Sequence, residues 1–195
     1  MLNPIRASYL LVATIALTAC GGNAERYLLP EATMETQRQS AASVIVVGPI
    51  DLPSYVRDIE INIQDQDGVL RPAPNGFWAD DPTRALTELL ADALDQSLTA
   101  VVASDPLPGL GLADLRVDVK VRRFVGKPGQ TMELKGQYFL TAPKGGQLQK
   151  IERFEISVPL PTSEVTDYAA AQSRAIALLS NQISASISGV RRSQL

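Results

Sequence analysis

Residues 113–126, ADLRVDVKVRRFVG, decide the fold. Leu115, Val117, Val119 and Val121 alternate with Arg116, Asp118, Lys120 and Arg122. A period of two puts the apolar set on one face and the charged set on the other, which predicts a strand with one packed and one solvated face. The alternation breaks at Arg123-Phe124, where a β-bulge would restore the face. Downstream, Gly126-Lys127-Pro128-Gly129 turns into TMELKGQYFLTA and Pro143-Lys144-Gly145-Gly146 turns into LQKIERFEISVPL. Three strands joined by two short Gly/Pro turns predict an antiparallel meander.

Upstream of the meander, Asp81 offers an N-cap acceptor and Pro82 a first helical residue whose missing N–H costs nothing. Leu86, Leu89, Leu90, Ala93, Leu94 and Leu98 then recur at helical spacing, and SDPLPGLGL ends the helix. A second amphipathic helix runs from about Glu164 to Ser188, with Tyr168, Gln172, Ile176, Leu179, Ile183 and Ile187 in one stripe and Thr162 or Ser163 as its cap. Val44-Ile45-Val46-Val47 is a continuous β-branched run, as in a strand buried on both faces. Ile59, Ile61 and Ile63 alternate with polar residues and lead through Gln66-Asp67-Gly68 into a hairpin. PAPNGFWADDP (72–82) reads as a turn, Tyr27 to Leu29 as a brief strand and Glu31 to Ala42 as a mobile loop. The resulting order, β-(β-hairpin)-α-β-β-β-α, predicts an α+β fold: a single mixed or antiparallel sheet with two amphipathic helices packed on one face.

The only cysteine, Cys20, ends LLVATIALTAC, and the 195 residues contain no histidine. Neither an internal disulfide, nor a Cys-His nucleophile, nor a histidine metal site can be built. Ahead of Cys20 lie one positive charge, Arg6, an apolar run from Tyr9 to Leu17 and two small residues, Thr18 and Ala19. That order is a secretory signal, and the run is far shorter than the roughly 20 residues that span a bilayer. Leu17-Thr18-Ala19-Cys20 resembles the bacterial lipobox. The expected organisation is a signal peptide over 1–19, a lipidated end and spacer over 20–26, and one domain over 27–190. Two or more acyl chains anchor a protein stably, so diacylglycerol and an N-acyl chain on Cys20 would tether it to a membrane, and no other cofactor is expected. Gly21, rather than an aspartate, after the cysteine resembles an outer-membrane destination.

Removing 19 of the 195 residues leaves 176, with 17 basic residues against 21 acidic ones, a net charge of −4. No basic surplus exists to neutralise phosphates, which argues against nucleic-acid binding. Catalytic constellations are equally thin, and an enzyme is not expected. Asp65-Gln66-Asp67-Gly68 lacks the terminal acidic ligand of a calcium loop. Asp80-Asp81 and Asp65/Asp67 have cap and turn roles to fill. Ser54 lacks a G-x-S-x-G elbow, and Gly109 and Gly111 precede a strand instead of a helix. Two apolar clusters stand out: Pro49, Leu52, Pro53 and Tyr55 in GPIDLPSYV, and Phe77 with Trp78 in NGFWAD. Both read either as lids over the core or as an interaction surface, since rigid aromatic and proline groups lose little entropy on binding.

Taken in order, the lipobox, the Tyr-Leu strand, GPIDLPSYVR (48–57), FWAD (77–80) before the leucine helix, Ala113-Asp114 and Tyr168-Ala169 resemble the PqiC/YmbA-type ABC-transport auxiliary lipoproteins. The resemblance spans nearly the whole mature chain. It departs at Asp58-Ile59-Glu60, where the family has a more basic strand, and at Phe77, where it often has a basic residue or histidine. The resemblance implies an outer-membrane lipoprotein facing the periplasm, a non-catalytic partner of an MCE-domain protein and of ABC transporter components in moving phospholipid between membranes, and ring-like homo-oligomers. It makes Cys20 the anchor, and Pro49, Leu52, Pro53, Tyr55, Phe77 and Trp78 match its pattern without an assigned role. The alternatives are a periplasmic lipid- or solute-binding lipoprotein and a general envelope-assembly lipoprotein.

Overall fold

A computed structural model describes residues 24–106 and 112–195. In chain order the elements are β1 (Glu25–Tyr27), β2 (Val44–Val47), α1 (Ser54–Arg57), β3 (Glu60–Gln64), β4 (Leu70–Trp78), α2 (Pro82–Ser97), β5 (Val101–Ser104), β6 (Leu115–Gly126), β7 (Gln130–Thr141), β8 (Gln149–Leu160) and α3 (Val165–Ser188), with a final 3-10 turn at Arg192–Gln194.

The meander forms as read: β6 pairs antiparallel with β7, and β7 with β8. The alternation of β6 buries Leu115, Val117, Val119 and Val121, and a register shift between Val121 and Arg123 returns Phe124 to the core. That bulge requires Gly136 on the facing strand, where a Cβ would overlap the Lys120 carbonyl oxygen and press on the Phe154 ring at 2.7 Å. α3 lies over β7 and β8, α2 lies over β2 and β5, and the helices touch each other. Leu86, Leu90 and Leu94 of α2 and Ile176, Leu179, Ile183 and Ile187 of α3 are buried against the sheet in one continuous core. Asp81 caps α2 as its sequence predicts, accepting from the Arg84 N–H at 2.9 Å. At α3 the helix begins at Val165, and the N-cap position falls on Glu164, just past the expected caps Thr162 and Ser163. Thr162 Oγ1 accepts from the Glu164 N–H at 3.1 Å and donates to Asp167 at 2.6 Å.

The single sheet with two helices is corrected. Among the described residues the strands form two sheets, one of order β5-β2-β6-β7-β8 and one of order β1-β4-β3, accompanied by three α-helices. Two short segments cause the difference. Val101–Ser104, hidden in sequence behind the end of the leucine helix, is a strand parallel to β2. With β6 parallel on the other side of β2, that strand is enclosed and the hairpin cannot join it. The hairpin instead takes β1 as a parallel partner. Its second strand runs through the segment read as a turn: between Glu60↔Phe77 and Asn62↔Pro72, β4 carries three extra residues. Pro74, Asn75 and Gly76 form this bulge, with Asn75 at φ 54°, a left-handed conformation asparagine tolerates. Prolines are compatible with a bulged strand because no ladder N–H is needed there.

Three contacts fasten the small sheet and α1 to α3 and the large sheet. The Tyr168 hydroxyl on α3 donates to the Asn62 carbonyl at 2.9 Å. The Phe124 N–H at the β6 bulge donates to the Tyr55 hydroxyl at 3.2 Å, and Arg123 donates to Gln64 at 3.2 Å. The 31–42 stretch forms no helix or regular strand, yet it is bonded to the end of α2: Arg38 N–H to Ser97 O at 2.8 Å and Thr99 N–H to Arg38 O at 3.0 Å. Asp114, just before β6, accepts from the Ser43 and Val44 N–H groups at 2.8 and 3.1 Å and pairs with Lys144 at 2.8 Å. The Lys144 and backbone hydrogen bonds hold its carboxyl down at about 2.

Candidate functional site

Asp81 and Pro82 fix where α2 starts, and so place Ala85, Glu88, Leu89 and Asp92 on one helical face, one turn apart. That face, with Leu86 behind it, forms one wall of a cleft of about 160 Å³. Tyr27, Leu28 and Leu29, running out of β1, form the opposite wall. Trp78 at the end of β4, Val56 of α1 and Gln172 of α3 close it. Trp78 and Gln172 are 6% and 3% exposed, whereas Leu28 is 73% exposed. The cleft is about the size of a cavity that holds one benzene ring.

The rim is acidic. Glu31, Asp80, Glu88 and Asp92 all line the opening. Asp80 ion-pairs with Arg84 and Glu88 accepts from the Ser104 hydroxyl at 2.8 Å. Among the described residues Glu31, Glu88 and Asp92 have no ion pair. Asp92 is exposed as a residue, yet partial burial of its carboxyl, followed by repulsion from Glu88, Asp95 and Glu31, raises it above the ordinary carboxylate range.

The six residues of the two apolar clusters do not gather into one patch. Trp78 lines the cleft, while Phe77, its neighbour on a strand, is directed to the other face of β4 and is half-buried. Leu52 is in the core. Tyr55 is packed against the core with its hydroxyl at the β6 bulge. Pro53 is half-buried ahead of α1, and Pro49 is exposed beside the start of α2. Cys20 lies outside the described residues, as do the signal segment and Gly109 and Gly111. The cleft residues that sequence reading missed are Leu28, Glu31, Glu88 and Asp92. The signal for the last two was present, because Glu88 and Asp92 are like charges four apart on a helix, an arrangement that opposes helix formation.

Potential catalytic groups have structural occupations. Asp81 is a cap, and Asp65 accepts from the Val69 N–H at 2.8 Å and pairs with Arg71 at 2.8 Å. The Ser186 hydroxyl lies 2.8 Å from Lys150 Nζ, but that ammonium pairs with Glu152 at 2.5 Å, and Glu152 also accepts from Tyr138 at 2.5 Å. Burial, then the bond to Glu152, pushes the Tyr138 hydroxyl up to about 12. This network fastens the end of α3 to the meander. Among the described residues no group of three or more acidic or cysteine side chains is placed to hold a metal ion.

The class so defined is a two-sheet α+β domain with an apolar, acid-rimmed cleft. Residues 27–184 match the family described as the ABC-type transport auxiliary lipoprotein component, and the chain belongs to that family. The fold recurs in solved structures. One, titled an uncharacterized protein, is 21% identical with a TM-score of 0.67, over 83% of this chain and 97% of that one. Another, a DUF330 protein from Xanthomonas campestris, is 18% identical with a TM-score of 0.64, over 83% and 93% of the two chains. At these identities the likeness concerns fold alone. No curated protein matches.

Proposed function

We propose that the protein is an outer-membrane-anchored lipoprotein facing the periplasm, which acts as a non-catalytic auxiliary subunit of an MCE/ABC-type system moving lipid between the membranes. Family membership over residues 27–184 carries this reading. It is supported by the lipobox-like run ending at Cys20 and by the structural occupations of Asp65, Asp80, Asp81, Lys150 and Glu152. A homo-oligomeric ring and an MCE-domain partner belong to the same proposal. The reading as a lipid carrier is less well supported, because the cleft of about 160 Å³ is below the roughly 300–1,000 Å³ of pockets that enclose a whole small molecule, and the larger space of about 460 Å³ between β8 and α3 is an open surface trough that does not enclose a ligand.

Replacing Cys20 by serine tests the anchor and the role together. The expected result is a folded domain that no longer fractionates with the outer membrane, in cells as permeable to detergent as a deletion strain. Full barrier function with the unattached domain would refute the proposal.

A further inference from the structure

We infer that the cleft between Tyr27–Leu29 and α2 is a docking site for a linear segment of a protein partner, one that inserts a large apolar side chain beside Trp78 and carries lysine or arginine next to it. The inference rests on the auxiliary-subunit reading and specifies how that subunit is engaged.

Three features select this occupant. The volume, about 160 Å³, suits one apolar side chain and excludes a whole lipid. The rim matches positive charge: Glu31, Glu88 and Asp92 converge on the opening with no ion pair among the described residues, so a neighbouring cation relieves their mutual repulsion. Phosphate-bearing headgroups meet the opposite effect. The third feature is the backbone of Leu28 and Leu29, which continues past β1, the edge strand of its sheet. Among the described residues, the N–H and C=O groups of these two leucines have no protein hydrogen bond. An extended peptide laid along that edge pairs with the Leu28 groups, which face away from β4 because the Tyr27 carbonyl faces it, while its side chains reach the cleft, the usual division between main-chain affinity and pocket specificity in strand addition.

Trp78, the only tryptophan, is a built-in reporter. The mature chain from residue 20, with Cys20→Ser so that neither lipid nor detergent is present, is titrated with an acetylated peptide of alternating lysine and leucine. Its glutamate-for-lysine and serine-for-leucine counterparts, and vesicles of phosphatidylethanolamine and phosphatidylglycerol, serve as competitors. The expected result is a saturable change in Trp78 emission with the lysine-leucine peptide and at least tenfold weaker binding of both counterparts. Asp92→Lys and Leu28→Ser, both at exposed positions, are each expected to weaken it about tenfold, and raised salt to weaken it further. Equal binding of the glutamate peptide, or binding unchanged in both variants, overturns the inference; so does a saturable response to the vesicles alone, which would make the cleft a lipid site. Crosslinking the full lipoprotein in its envelope separates this from the underlying reading. A transporter component captured equally by wild type and Asp92→Lys leaves the auxiliary role standing and sinks the cleft. No such capture by wild type sinks the auxiliary role, whatever the peptide does.

Discussion

Replacing Tyr55 by phenylalanine removes one oxygen from the contact between α1 and the β6 bulge. That oxygen accepts the Phe124 N–H at 3.2 Å, at a bulge in β6 and on a residue only 1% exposed. A buried N–H left without an acceptor costs about 1–3 kcal/mol. Tyr55 is half-buried, so water can reach part of the vacated position, and the lower half of that range applies, about 1–2 kcal/mol. For a domain of this size each kcal/mol shifts the midpoint by about 2–4 °C, which gives a fall of about 2–8 °C in thermal unfolding. Amide hydrogen exchange reads the same event locally: the Phe124 amide should lose more protection than the Leu134 amide facing it across the ladder. An unchanged midpoint together with unchanged Phe124 protection would refute this role for Tyr55 and return it to the candidates for a contact surface.

Three further predictions follow from the packing. Gly136→Ala should destabilise by about 1–3 kcal/mol, because the new Cβ meets the Lys120 carbonyl, part of a backbone held on both sides; urea unfolding measures it, and a neutral result would mean the bulge can move. Ser180→Ala should be neutral or raise stability by about 1 kcal/mol, since the buried Ser180 hydroxyl has no hydrogen-bond partner in the described structure; a clear loss would reveal one. Asp114 sits at about 2 when folded against about 3.9 unfolded, so its stabilisation is present above the unfolded value and is lost as pH falls through the folded one. Asp114→Asn should therefore lower stability at pH 7 by about 1–2 kcal/mol and flatten the fall between about pH 4 and 2, as urea midpoints across that range would register.

The elements legible in sequence are those whose pattern repeats often enough to outvote accident. β6 alternates over eight residues, α2 and α3 carry long leucine and isoleucine stripes, and even the bulge near Phe124 shows as a break in phase. The misread elements are short and owe their form to neighbours. β5 has four residues and exists because β2 offers an edge. α1 has four residues after Pro53. β4 contains Pro72, Pro74 and Gly76, local turn formers that the flanking β1 and β3 override as a bulge. The site divides in the same way. Trp78 was identifiable, together with Phe77, as an aromatic pair just ahead of α2. Leu28 and Glu31 acquire meaning only when the β1 segment lies across α2, and the like charges Glu88 and Asp92 mark a helix face whose cost in repulsion had no visible counterpart along the chain.

The central claim, that this lipoprotein serves a transporter as an auxiliary subunit, is tested most directly by crosslinking the full-length protein in its native envelope and identifying the captured proteins and lipids by mass spectrometry. The account predicts an MCE-domain protein or an ABC transporter component, captured by wild type and lost with Cys20→Ser. Capture of lipid alone, with no transporter component, would contradict it.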